Sequence, residues 1–110
     1  MIQQHKDLAA GRWNELSLME QMANIGSEVE RALNWRAKHN AEYSQKAFER
    51  ALELMDLSLG NAKGLPRLKE LSRAREALVD YFQGNNEFGS SDELWRKYFF
   101  HFTYAARRNR

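Results

Sequence analysis

Cysteine is absent from the 110 residues. That excludes a disulfide framework and any thiolate set for zinc or an iron–sulfur cluster. Proline occurs once, at position 66, and glycine six times, so there are few places where a helix is forced to stop. No apolar run approaches the ~20 residues that span a bilayer, and Met1–Ala10 lacks the apolar stretch of a signal peptide. The expectation is a cytoplasmic protein with no membrane partner. Neither sign of charge dominates: Lys and Arg number 17, Asp and Glu 15, and the net +2 favours no class of partner. Glu three residues before His, the ligand pair of di-iron bundles, occurs at none of His5, His39 and His101. No phosphate-cradling glycine loop and no nucleophile elbow is found either. Neither a metal nor a cofactor is expected, and the balance leans away from an enzyme.

What is present is helical periodicity, with no long alternating stretch. The chain, residues 1–110, reads as a single domain of four helices at about 14–38, 41–59, 66–83 and 91–107. Residues 1–11 read as a flexible or short helical lead-in. In the first helix, starting at Asn14 or Ser17, Ser17 and Glu20 have the capping-box form. Leu18, Met22, Ile25, Val29, Ala32 or Leu33, and Arg36 follow along one stripe. Gly26 inside it costs about 1 kcal/mol relative to alanine, which either a close crossing by another helix or mere tolerance would explain.

The second helix buries Ala47, Phe48, Ala51, Leu54, Met55 and Ser58 or Leu59, and ends at Gly60. Pro66 opens the third, which faces inward with Leu68, Leu71, Ala74, Leu78, Tyr81 and Phe82. The head of Arg75, beside that stripe, should reach water or a carboxylate. Ser90-Ser91-Asp92-Glu93 gives the fourth helix a second capping box, and its basic end suits the helix dipole. Such helices with short connections predict an all-α, antiparallel (up-down-up-down) four-helix bundle. Trp13 and Trp35 bracket the first helix and read as structural, with Tyr43 placed to stack on Trp35.

The last helix is the segment that stands out. Six aromatic residues lie between Trp95 and Tyr104, and positions 92–110 hold five basic residues against two acidic. On a helical wheel Leu94, Trp95, Tyr98, Phe99, Phe102, Ala105 and Ala106 share a core arc. The opposite arc carries Arg96, Phe100, Thr103, Tyr104 and Arg107, with Lys97 and Arg108 towards its edge, so Phe100 and Tyr104 are surplus to one buried face. Three readings of that arc stand. It packs under a neighbouring segment; or Arg96, Phe100, Tyr104 and Arg107 form a self-association interface; or Arg96, Lys97, Arg107 and Arg108 hold phosphates while the aromatics stack on RNA bases. The favoured expectation is an interaction or regulatory module forming a homo-oligomer, a dimer first of all, with a protein partner or RNA as alternatives.

Arg96 and His101 form Arg-x4-His on this four-helix plan, and in that the chain resembles the HEPN superfamily of helical bundles. The resemblance implies a metal-independent ribonuclease, with His101 moving the proton and Arg96 holding the phosphate. The family usually carries Asn, Asp or His after the arginine, where this chain has Lys97. On one straight helix the i, i+5 pair lies roughly 140° apart, so convergence needs a distorted helix or a second copy. A second, local resemblance is that of Ala47–Leu54 to the second helix of a tetratricopeptide repeat. No similar segment recurs at the required period, which leaves a helical-hairpin signal alone.

Overall fold

A computed structural model describes residues 11–108, and among them the chain forms five helices. A single turn, α1 (Trp13–Glu15), precedes four long ones: α2 (Leu18–Ala37), α3 (Ala41–Gly60), α4 (Leu65–Gln83) and α5 (Asp92–Arg108). The expected lead-in at 1–11 lies outside the described residues apart from Gly11.

The helix ends follow local chemistry. Ser17 and Glu20 make the reciprocal box: the Glu20 amide donates to Ser17 Oγ at 3.1 Å, and the Ser17 amide donates to Glu20 Oε1 at 2.9 Å. This cap separates α1 from α2, because Leu16 is extended; the expected helix over 14–38 is therefore two elements. Asn40 caps α3 by accepting the Tyr43 amide, and Pro66 occupies the first turn of α4. At α5 the expected box shifts by one residue. Ser91 Oγ, and not Ser90, accepts from the amide three positions on, which is that of Leu94. Ser90 instead exchanges two hydrogen bonds with the Asn86 side chain, which fixes the turn before the helix.

In the packing, α2 touches both α3 and α5, and α4 leans on α3. Rising positions on α2 meet falling positions on α3: Ser58 Oγ donates to Gln21 Oε1, Arg50 reaches Glu28, and Ser44 Oγ donates to the Ala32 carbonyl. The same order joins α2 to α5, where Gly26 faces Phe99, Glu30 and Asn34 face Arg96, and Arg36 faces Asp92. It joins α3 to α4 as well, through Phe48 stacked on Phe82 at 4.8 Å and Asp56 bound to Arg75 at 2.8 Å. The core runs along this seam: Met22, Ile25, Val29 and Leu33 of α2 against Phe48, Ala51, Leu54 and Met55 of α3, with Leu71 and Leu78 of α4 and Trp95 and Phe99 of α5.

Two expected core residues lie at the surface, while others such as Tyr81, Phe82, Tyr98 and Phe102 are half-buried. Leu68 and Leu94 are exposed, because α4 and α5 diverge where the wheel would have them meet. Gly26, by contrast, has the neighbour its position asked for. A Cβ placed there would lie 2.7 Å from the Phe99 Cβ, so α5 seats directly on the α2 backbone. Buried polar groups close the far end. Trp13 Nε1 donates to Ser58 Oγ at 3.1 Å, Ser58 Oγ donates to Gln21 Oε1 at 2.8 Å, and Gln21 Nε2 donates to the carbonyls of Trp13 and Leu16. With its bonds met inside the network, this cluster carries little desolvation penalty.

Candidate functional site

The sequence directs attention to α5, and its two faces are distinct. Inward, Trp95 and Phe99 stack at 6.0 Å while Tyr98 meets Trp95, Phe99 and Phe102 edge-on. The Tyr98 hydroxyl donates to Glu70 of α4 at 3.2 Å. Its pKa is pushed well up, first by burial and then by the Glu70 carboxylate. Burial and the Asp92 carboxylate raise that of Tyr81 as well. Asp92 is shared: it accepts from the Tyr81 hydroxyl and from Arg36 at 2.7 Å, and the Arg36 guanidinium lies 4.8 Å from the Tyr81 ring centre. These contacts fasten the start of α5 and leave the outer face of the helix at a fixed orientation.

Outward, Phe100 is 62% exposed and Tyr104 55%. The two rings are one helical turn apart and stack on each other, 22° from parallel with centres 6.3 Å apart. Arg108 lies over the Tyr104 ring at 5.8 Å, and exposed His101 meets the Phe100 ring edge-on. Nothing among the described residues covers this ledge, so packing under a neighbouring segment is not what occupies it there.

Of the four candidate cations, Arg96 is spent on the fold. Its Nε donates to both Glu30 oxygens at 3.0 Å and its terminal nitrogen to Asn34 at 3.0 Å, which ties α5 to α2. Lys97, Arg107 and Arg108 have no ion pair among the described residues. Arg96 and His101 are not brought together. Arg96 turns towards Glu30 and Asn34, while the ring of His101 meets that of Phe100. Among the described residues no group of three or more His, Asp or Glu could hold a metal ion, and no helix is long and apolar enough to cross a membrane.

Concavities flank α5 on both sides. One, about 480 Å³, runs along α2 past Gly26, Glu30, Asn34, Arg96 and Phe100. The other, about 580 Å³, lies between α4 and α5, floored by Ala74, Ala77 and Trp95 and edged by Phe88 and Leu94. The second is the feature that the sequence reading missed. Its only signal was the surplus of apolar residues on α4 and α5, each of which looked like core. Trp35 and Tyr43 do pair, edge-on at 4.9 Å across the α2–α3 turn, with Lys38 over the indole.

No family model, curated protein or solved structure matches the chain.

Proposed function

We propose that the chain is a self-associating helical interaction module of the cytoplasm, built as an up-down-up-down bundle, with α5 presenting the contact surface and no catalysis of its own. The opposed residue order across α2–α3, α2–α5 and α3–α4 supports the antiparallel arrangement. One observation carries the functional reading: Phe100 and Tyr104 stack on each other outside the core, where water would otherwise have to solvate both rings. Aromatic residues with arginine beside them are what interface centres are enriched in. A rigid pair has little side-chain entropy left to lose on contact.

Sedimentation equilibrium tests this. The chain should associate reversibly up to several hundred micromolar, on the order expected for a small interface. Phe100→Glu should leave it monomeric with an unchanged circular dichroism spectrum, since Phe100 contributes nothing to the core. A wild-type chain that stays monomeric throughout removes the reading.

A second reading rests on a separate observation, the absence of ion pairs at Lys97, Arg107 and Arg108 and the seat of Arg108 over Tyr104. Basic groups beside an exposed ring suit single-stranded RNA, with stacking on the ring and salt-sensitive contacts to phosphate. Arg107→Glu/Arg108→Glu should then abolish salt-dependent RNA binding, and unchanged affinity removes that reading. Its ribonuclease form, after the HEPN resemblance, requires Arg96 to leave Glu30 and Asn34 before it can hold a phosphate beside His101.

A further inference from the structure

The outer face of α5 has an order that goes beyond two exposed rings. Glu93, Lys97, Phe100, Tyr104 and Arg107 are all exposed, and they follow one another at steps of four, three, four and three. That spacing is the seam of a two-stranded coiled coil, and it confines the five side chains to an arc of roughly 80°. Phe100 stands at the middle. Glu93 lies seven residues before it and Arg107 seven after, about 10 Å away in each direction along the helix.

We propose that a second copy of the chain is the partner on this seam, and that the two α5 helices cross in opposite directions about a twofold axis at Phe100. This rests on the self-association reading and adds the partner, the orientation and the register. A twofold contact is self-complementary: whatever one helix offers at a given distance before the axis meets what the other offers at the same distance after it. Opposed pairing therefore sets Glu93 against the partner's Arg107, and by symmetry Arg107 against the partner's Glu93. Phe100 packs on its own equivalent. Tyr104, four residues after the centre, comes beside the partner's Lys97, three residues before it, within the range at which an ammonium group is attracted to a ring face. Parallel pairing would instead oppose Glu93 to Glu93 and Arg107 to Arg107, and the repulsion selects against it.

The charges needed are free to serve. Glu93, Lys97 and Arg107 make no hydrogen bond or ion pair among the described residues. Arg36, Arg75 and Arg96 are bound to Asp92, Asp56 and Glu30. An acidic start and a basic end would suit the dipole of any helix. The dipole does not require both charges to share the stripe of Phe100 and Tyr104, nor to stand equally far from its middle. The presence of Glu93 on the stripe also separates this surface from one made for phosphate, where a carboxylate is repelled. One helix pair is smaller than the roughly 800 Å² per partner of a standard interface, which puts the dimer among transient contacts.

Charge exchange tests the register. Glu93→Arg and Arg107→Glu, each alone, turn two attractive contacts of the dimer into two repulsive ones. Each variant should associate roughly tenfold more weakly at low salt, given the modest worth of an exposed pair. An equimolar mixture of the two variants should recover wild-type affinity as a heterodimer, because each altered position then meets an opposite charge on the other chain. Glu93→Gln and Arg107→Gln, which perturb the helix ends less, should weaken association a few-fold. Circular dichroism confirms folding of every chain. If both reversals leave association unchanged while Phe100→Glu abolishes it, the face stands and the opposed register is overturned. If the mixture fails to recover while the single variants are weak, the register is likewise overturned. If Phe100→Glu has no effect, the self-association reading itself falls. A monomeric chain whose affinity for a single-stranded RNA oligonucleotide rises in Glu93→Arg overturns the proposal in favour of the nucleic-acid reading.

Discussion

Trp13→Ala should lower the stability of the domain by about 3–5 kcal/mol, where a domain usually has about 5–15 kcal/mol in all. Trp13 belongs to a helix of three residues, an element too short to persist without tertiary contacts. Its side chain is nevertheless among the most buried in the chain, 1% exposed, and its indole N–H donates to Ser58 45 positions away. Truncation removes one of the two tryptophans of the core and takes a donor from the Ser58 hydroxyl, which still bonds Gln21. The surrounding helices cannot collapse into so large a space, so most of the cavity cost remains. Trp13→Phe separates the contributions: it keeps much of the volume and loses the hydrogen bond, with an expected cost of about 1–3 kcal/mol. Urea denaturation followed by circular dichroism measures both. A loss under about 1 kcal/mol for Trp13→Ala would mean that the turn does not plug the end of the helices.

Gly26→Ala should destabilise the fold by up to about 2 kcal/mol, although alanine is the better helix former. Propensity alone favours the substitution by about 1 kcal/mol. Against this, the new methyl would sit 2.7 Å from the Phe99 Cβ and 2.9 Å from its Cγ. A ring tip could swing aside, but a Cβ moves only with its backbone, so α5 must shift off α2. Overpacking of this kind typically costs about 1–3 kcal/mol, which outweighs the gain. Gly26→Val should cost about 3 kcal/mol or more, since it is larger and β-branched. Gly60 supplies the control, because a Cβ there meets nothing within 4 Å. Gly60→Ala should be neutral or mildly stabilising. If the two alanine variants behave alike in thermal denaturation, the close α2–α5 crossing is wrong.

The two predictions mark different depths of legibility. The glycine was readable in outline: a residue costly to a helix, in the middle of an otherwise strong one, asks for a close neighbour, and Phe99 is that neighbour. Trp13 was readable as structural, yet its partners were not. Ser58 was one of two choices, with Leu59, for the inner face of its helix, and Gln21 looks like a surface residue in a linear reading; only their meeting at one end of α2 and α3 lets each satisfy the other's hydrogen bonds. The α5 face divides in the same manner. Phe100 and Tyr104 were expected on the arc opposite the core, and they are exposed there. Arg96 was placed with them by angle alone, but its long side chain reaches back to Glu30 and Asn34. Leu68 and Leu94 fail for the complementary reason: the wheel assigns an inward direction without knowing whether another helix stands there.

By itself, then, the sequence determined the four long helices, the ends of the last three to within a residue, and most of the apolar stripe of each, while it ran α1 and α2 together. Those properties are local, set by periodicity, capping side chains, one proline and a few glycines, all acting within a turn or two of the chain. The tertiary structure alone decided which stripes meet: that α2 lies between α3 and α5, that α4 and α5 diverge into an open groove, and that Arg96 serves the fold while Lys97, Arg107 and the two outer rings remain at the surface. The physical reason is that burial and ion pairing depend on what comes near in space, and side chains 45 to 66 positions apart in this chain are brought within hydrogen-bond reach only by the packing of whole helices.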